Sequence, residues 1–274
     1  MRLARLAAVA LAASVIGSQF AVPASAAETL RALRVVTVNS LAESTSVRTV
    51  TATCTGQRLI GGGFYLDGDT QGEVLIDKVL PSASYFQVRA RETPKGTKGL
   101  WWLRTYAVCA DDQPGFQVVG VDGPTATCPA GKKVTGGGAE VIGGNGEVIL
   151  NSMVPGVTTV NAVAVEDANG AAAAWSLRTY AVCGPGDLPG LQRVNALALG
   201  DSNNKHVAST CPSGARTLSV GWDIGNRTPG LVTPEIVVPE TPPWATGSYV
   251  YARELGAGTS TTWSLGSTLV CAFA

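Results

Sequence analysis

Acidic side chains recur at fixed places in this chain, and they are the first residues with the means to do chemistry. Glu73 and Glu147 each sit between a glycine and an aliphatic run, and Glu92, Glu166 and Glu254 each close an Ala-x-Glu triplet. Two carboxylates flanking a glycosidic bond can hydrolyse it without histidine. A catalytic pair, however, is normally assembled once, whereas residues repeated in every unit answer to the needs of the unit itself. A nucleophilic triad would have to be built on His206, the single histidine, which lies in a polar stretch with Asn203, Asn204 and Lys205. No Gly-x-Ser-x-Gly elbow accompanies it, and it reads as a solvated loop residue. Asp67, Asp69 and Glu73 set hard oxygens at alternate positions, which suits calcium, but they do not complete an EF-hand loop. The second unit offers only Asn145 and Glu147 there, so a solvated hairpin turn is the simpler expectation. No catalytic residue, metal set or cofactor motif is assigned on these grounds.

The six cysteines carry a clearer message. Cys54, Cys128 and Cys211 each open a turn, and Cys109, Cys183 and Cys271 each close a strand that begins at Trp101, Trp175 or Trp263. None has a close Cys or His companion of the kind zinc requires. An even number of cysteines in an exported chain implies disulfides, and repetition selects one pairing: Cys54–Cys109, Cys128–Cys183 and Cys211–Cys271. Closing loops of this length contributes roughly 4 kcal/mol each in the chain-entropy account.

The cysteines mark a triplication. Cys54-Thr55-Gly56 leads to Gly61-Gly62-Gly63, Cys128-Pro129-Ala130-Gly131 to Gly136-Gly137-Gly138, and Cys211-Pro212-Ser213-Gly214 to Ser219-Val220-Gly221. Between each opening and its Trp strand come a strand running to Pro81, Pro155 or Pro239, and another ending at the Ala-x-Glu triplet. Units over residues 29–112, 113–187 and 188–274 follow, each with about four or five strands. The glycine triplets lack the Lys-Ser or Lys-Thr of a phosphate loop; within strands they mark bulges or close backbone approach, which suits a tight joint between sheets.

Period-two alternation places Trp101, Leu103, Thr105, Ala107 and Cys109 on one face, so the tryptophans that open these strands are core anchors. Arg104 and Tyr106, then Arg178 and Tyr180, lie on the other face, where the third unit has Gly266 and Thr268. Trp101 and Trp102 are consecutive, so Trp102 points outward. Exposed aromatic rings with polar neighbours stack on sugars, and Trp102, Tyr106, Tyr180, Trp222 and Trp244 are the candidates. The third unit also has a Pro-rich stretch from Pro234 to Pro243 and an insertion from Asp201 to His206. Such divergence fits a terminal repeat that caps the array, or a localised site.

Arg2 and Arg5, an apolar run from Leu6 to Ile16 and Ala24-Ser25-Ala26 read as a secretory leader over residues 1–26. The apolar run is too short to span a bilayer, and no membrane insertion is expected. Without the two leader arginines, 18 basic residues face 20 acidic ones without charge runs, which gives no footprint for nucleic acid.

The Cys-Pro-x-Gly opening, the Gly-rich strand and the closing Trp strand with its Cys, clearest in Cys128 to Gly138 and Trp175 to Cys183, resemble repeats of secreted bacterial proteins without an assigned function. The Cys-Pro-x-Gly turn, the following glycine and the count of three are also similar to the vitelline membrane outer layer protein family. That resemblance implies a threefold β-prism and a carbohydrate-related activity. The expectation is an all-β, β-prism-like protein of three repeats of about 75–85 residues around a pseudo-threefold axis, each with one internal disulfide. Three separate sandwiches are the alternative, against which the short linkers argue. The expected function is a secreted, non-enzymatic binding module for a glycan or another cell-surface component. A structural or envelope-associated protein that contacts other proteins is second, and a carboxylate-dependent glycoside hydrolase third.

Overall fold

Short apolar stretches punctuated by Gly, Pro and Asn specify strands, and the computed structural model of the chain is built from eighteen of them. It describes residues 29–112, 114–225, 231–239, 246–256 and 258–274; the expected leader and Trp244 lie outside the described residues. The first repeat holds β1 (Arg34–Asn39), β2 (Val47–Thr53), β3 (Arg58–Gly68), β4 (Val74–Pro81), β5 (Tyr85–Glu92) and β6 (Trp101–Ala110). The second holds β7 (Gln117–Asp122), β8 (Thr125–Thr127), β9 (Lys132–Gly143), β10 (Val148–Pro155), β11 (Thr159–Glu166) and β12 (Trp175–Pro185). The third holds β13 (Gln192–Asp201), β14 (Lys205–Thr210), β15 (Ala215–Gly225), β16 (Val232–Pro239), β17 (Gly247–Glu254) and β18 (Trp263–Phe273). Each repeat therefore has six strands, not the four or five expected, because the lead-in before each first Cys is two strands and not one. The expected insertion at Asp201 to His206 is the tight connection between β13 and β14, and His206 lies in β14 itself.

The fold is all-β, with three six-stranded sheets in a pseudo-threefold arrangement, and no repeat owns a sheet. Sheet A runs β1-β6-β3-β16-β17-β14, sheet B runs β2-β5-β4-β9-β12-β7, and sheet C runs β13-β18-β15-β10-β11-β8. Every repeat splits into two three-stranded halves, and each half is completed by a half from a neighbour. The third repeat pairs back onto the first through β16 and β3, which closes the ring.

The seams between halves are short. They comprise Ile236↔Tyr65 and Val237↔Phe64, Lys78↔Glu140 and Val79↔Ala139, and Ser152↔Asp223 and Met153↔Trp222. The last glycine of each triplet sits in a seam. A β-carbon on Gly63 would lie 2.2 Å from the Val237 carbonyl oxygen, one on Gly138 2.2 Å from that of Val79, and one on Gly221 2.4 Å from that of Met153. The first position converges on the axis instead. A β-carbon on Gly61 would lie 2.4 Å from the Leu218 carbonyl oxygen, and one on Gly136 2.8 Å from the Gly61 α-carbon. These contacts require glycine for space.

The facing strand of each seam carries a one-residue bulge, and the extra residue is a buried polar group: Asp77, Asn151 or Glu235. Asp77 accepts from Arg89 Nε at 2.7 Å and Arg91 Nε at 3.0 Å. Asn151 donates to the Ile224 carbonyl at 2.8 Å. Glu235 accepts from Thr70 Oγ1 at 2.9 Å and pairs with Arg253 Nε at 3.2 Å. A bulge leaves a residue outside the ladder, and in the last two cases that residue tethers two repeats.

The three disulfides are the expected ones, Cys54–Cys109, Cys128–Cys183 and Cys211–Cys271, with separations of 55, 55 and 60 residues. Each links the two half-sheets of one repeat, so together they join sheet A to B, B to C and C to A. Such bonds belong to an oxidising environment. In the first repeat the Trp-strand face is buried as alternation requires, with Trp101, Leu103, Thr105, Ala107 and Cys109 all without solvent contact. In the second, Trp175 and Leu177 are only half-buried, so Trp175 packs against the core without being the enclosed anchor that alternation predicts.

Gly63→Ala should destabilise the fold by about 1–3 kcal/mol or more, because the added methyl meets main chain and not a movable side chain. Gly266→Ala, whose β-carbon would have 3.6 Å of clearance, should change stability by less than about 0.5 kcal/mol; chemical unfolding of both variants checks this. Burial raises the Glu235 carboxyl above its ordinary value, against the lowering effects of Arg253 and Thr70. A carboxyl raised on folding contributes stability below its unfolded value, and that contribution is lost as pH rises through the folded value. Urea unfolding at pH 4.5 and 7.5 should therefore show the balance between wild type and Glu235→Gln moving towards wild type at the lower pH.

Candidate functional site

The repeated acids are held by the fold. The indole Nε1 of Trp101 donates to Glu92 at 2.9 Å, that of Trp175 to Glu166 at 2.8 Å, and that of Trp263 to Glu254 at 2.8 Å. A buried indole N–H needs an acceptor, which accounts for Glu92 and Glu254 beside the buried Trp101 and Trp263. Trp175 is half-buried and its bond to Glu166 is exposed, so the second repeat keeps the pair without that need. A cation covers two of these rings: the Arg48 guanidinium lies 5.1 Å from the Trp101 ring centre, and Lys205 Nζ 4.5 Å from that of Trp263. The Trp175 indole N–H, with the Ala171 backbone N–H, holds Glu166 below the usual carboxylate range.

Glu73 and Glu147 brace the turns before the Trp strands. Glu73 accepts from Thr93 Oγ1 and Lys95 Nζ, each at 2.5 Å, and Glu147 accepts from the Ala172 backbone N–H at 2.9 Å. They border a cavity of about 360 Å³ where turns of all three repeats meet, and the third repeat brings Leu231 and Leu255 to its wall. Asp67, Asp69 and Glu73 do not converge: Asp67 accepts from the Gly68 N–H, Asp69 from Gln71 Nε2, and Glu73 from the 93–95 turn. Among the described residues no group of three or more His, Cys, Asp or Glu could hold a metal ion. His206 is not in a loop; it is an exposed residue of β14 whose ring stacks on Tyr249 at 5.7 Å.

The outer faces of the three sheets are where the repeats part company. A single level of the prism runs across every strand of sheet A as Asn39, Arg104, Tyr65, Ile236, Tyr251 and His206, all cross-strand partners in sequence. The matching level of sheet B reads Asp122, Arg178, Glu140, Lys78, Arg89 and Thr49. That of sheet C reads Leu197, Gly266, Asp223, Ser152 and Val163. One register thus carries rings on A, ion pairs on B and a gap on C. Sheet B is self-satisfied there, with Lys78–Glu140 at 2.9 Å, Arg89–Asp77 at 2.7 Å and Arg178–Asp122 at 3.3 Å.

Sheet A has two stacked aromatic pairs at its flanks. Trp102 stacks on Tyr65 with ring centres 5.3 Å apart and planes 15° from parallel. The Arg104 guanidinium lies 4.9 Å from the Trp102 ring centre and 5.9 Å from that of Tyr65, and its Nε donates to Asn39 Oδ1 at 2.6 Å. The second pair is Tyr249 with His206, and Tyr251 lies in register beside His206. Burial, with Asp67 nearby, raises the Tyr65 hydroxyl pKa, and burial, with Tyr251 nearby, raises that of Tyr249. Both phenols therefore stay protonated at neutral pH and can donate hydrogen bonds.

Of the five expected ring contacts, Trp102 and Tyr180 are half-buried and outward. Tyr106 is only 3% exposed; it stands opposite Gly63 and accepts from Arg104 Nη1 at 3.3 Å. Trp222 is 1% exposed, packed edge-on against Phe64 at 5.6 Å, with its indole N–H on the Leu150 carbonyl at 3.3 Å. Neither presents a ring to a ligand: the one is covered on its own face, and the other is on the core side of β15. No motif in the sequence marks Tyr65, Tyr249 and Tyr251; alternation from Gly63 and pairing across the seam reveal them. The chain matches no protein-family model and no curated protein, so its function rests on this geometry.

Glu92→Ala would strand the buried Trp101 N–H and should cost about 1–3 kcal/mol in chemical unfolding. Trp102→Ala, half-exposed one residue away, should cost less than that in the same measurement.

Proposed function

We propose that this protein is a secreted, non-enzymatic binding module whose ligand is an extended glycan of a cell surface, laid across the outer face of sheet A. The register row of Arg104, Tyr65, Ile236, Tyr251 and His206, with Trp102 and Tyr249 beside it, carries this reading. Four strand spacings of about 4.8 Å give that row a length of about 19 Å, which suits a run of sugar rings better than a single one. Each ring supplies an apolar face for sugar C–H groups and a polar edge for hydroxyls, and Arg104 and Asn39 add donors and acceptors. At roughly 1 kcal/mol per stacked contact, several rings in line are needed to approach the roughly 8 kcal/mol of micromolar affinity. The disulfides and the leader motif support export. The braced roles of Glu73, Glu92, Glu147, Glu166 and Glu254 leave the recurring acids engaged in structure, which supports binding without catalysis.

Purified protein should be retained on at least one of chitin, cellulose or peptidoglycan, or on a glycan array, with oligomers preferred over monosaccharides. Trp102→Ala and Tyr251→Ala should each reduce retention about tenfold or more, whereas Lys78→Met on sheet B should not. No retention by the wild type, or retention indifferent to both ring deletions, would overturn the assignment.

A further inference from the structure

The outer face of sheet C differs from the other two by a deletion. At the equivalent place the first two repeats carry an arginine. Arg104 reaches Asn39 on the edge strand beside it, and Arg178 reaches Asp122 and lies 5.8 Å from the Tyr180 ring centre. In the third repeat the arginine is Gly266 and the tyrosine is Thr268, while the place facing Gly266 holds an acid, Asp223 in β15, as it does in the second repeat with Glu140 in β9; the first repeat has Tyr65 there. The missing side chains leave an open cleft of about 420 Å³ lined by Val154, Asn195, Leu197, Asp223, Gly266 and Thr268. Asp223 is exposed, and among the described residues no cation is paired with it. Beside the cleft Leu197 and Leu199 are 60% and 76% exposed on β13, the outermost strand of the sheet. From Val194 to Gly200 that edge carries no charge, although exposed edges are ordinarily guarded by charged residues.

We propose that this cleft docks an arginine side chain of a partner protein, presented by an extended segment with apolar residues on either side. Beside Leu197 the space is the one an arginine takes in the other two repeats, where it reaches the edge strand. A planar guanidinium entering between Leu197 and Asp223 can meet the Asp223 carboxylate with two parallel hydrogen bonds. Leu197 and Leu199 offer the flanking residues an apolar seat. Among the described residues no aromatic ring lines the cleft, so they offer no stacking surface of the kind that a sugar would use. The site is on a different sheet from the proposed glycan face and stands independently of it.

The probe is the peptide acetyl-Leu-Arg-Leu-amide, titrated into the ¹⁵N-labelled protein beside its citrulline counterpart, a neutral isostere. The amides of Leu197, Asp223 and Gly266 should shift saturably, with the citrulline peptide at least tenfold weaker. Asp223→Asn should weaken the arginine peptide to the citrulline level. Gly266→Arg should abolish binding by refilling the cleft; the 3.6 Å clearance around its β-carbon lets that variant fold, which its own spectrum verifies. Trp102→Ala should leave peptide binding unchanged. The proposal is overturned if no saturable shifts appear, if citrulline binds as well, or if either cleft variant binds like the wild type. It is also overturned if a chitosan tetramer shifts the same amides as strongly as the peptide, which would assign the cleft to amino sugars.

Discussion

At three places the main chains of neighbouring repeats come so close that no β-carbon fits between them, and the architecture depends on that proximity. Gly63, Gly138 and Gly221 each lie against a carbonyl at the seam, with Pro239, Pro81 and Pro155 of the same facing strand also within contact distance. Proline suits such a place because it gives up a donor that an ending strand does not use. A seam with only two paired residues would be weak alone. It is reinforced by the bulged polar residue beside it, by the adjoining cores, and by disulfides that tie each repeat's halves in different sheets. Since every half-sheet is completed by another repeat, no single repeat can bury its surface alone, and the ring is one cooperative object.

Much of this is legible in the chain, for reasons that can be named. Disulfide pairing follows from repetition, and burial of Trp101 and Trp263 follows from alternation, because both rules are local. The exchange of half-sheets is not legible: nothing in Val79 or Ala139 announces that they pair, since cross-repeat pairing has no motif of its own. His206 reads as a loop residue because Asn203, Asn204 and Lys205 are polar, yet Lys205 is buried over Trp263 and β14 begins there. Trp222 reads as a divergent surface residue. Superposing the repeats puts it level with Phe64 and Ala139, all three buried, so the third repeat adds bulk where the second gives it up. Trp222 packs against Phe64 of the first repeat, and a single repeat read alone cannot show that.

The recurrent acids carry the same lesson about chemistry. Carboxylates at regular intervals are what a search for acid–base pairs finds first, and here each is explained by a neighbour that needs it. In the first and third repeats the indole N–H of a core tryptophan would otherwise be buried without an acceptor, at a cost of about 1–3 kcal/mol, and Glu92 and Glu254 remove that cost. Repetition therefore separates the residues the fold requires from those it leaves free. The inner face of every Trp strand is nearly invariant across the repeats, whereas the outer face holds Trp102, Arg104 and Tyr106 in one repeat and Ser264, Gly266 and Thr268 in another.

That freedom decides valence. Had the outer register been triplicated with the core, three equivalent sites would face outward, and weak binding at each would be multiplied by effective concentration. Instead one level of the prism reads as rings on sheet A, closed ion pairs on sheet B and a gap on sheet C. Under the proposed glycan reading, a ligand would be engaged through a single face, and its affinity would come from the length of contact along that face. The row on sheet A has such length because it crosses the seam at Tyr65 and Ile236 and borrows its far half from the third repeat. The joint that closes the ring is thus also what makes the contact surface long. A change that opened the first–third seam would shorten the ring-bearing row to the three strands of a single repeat.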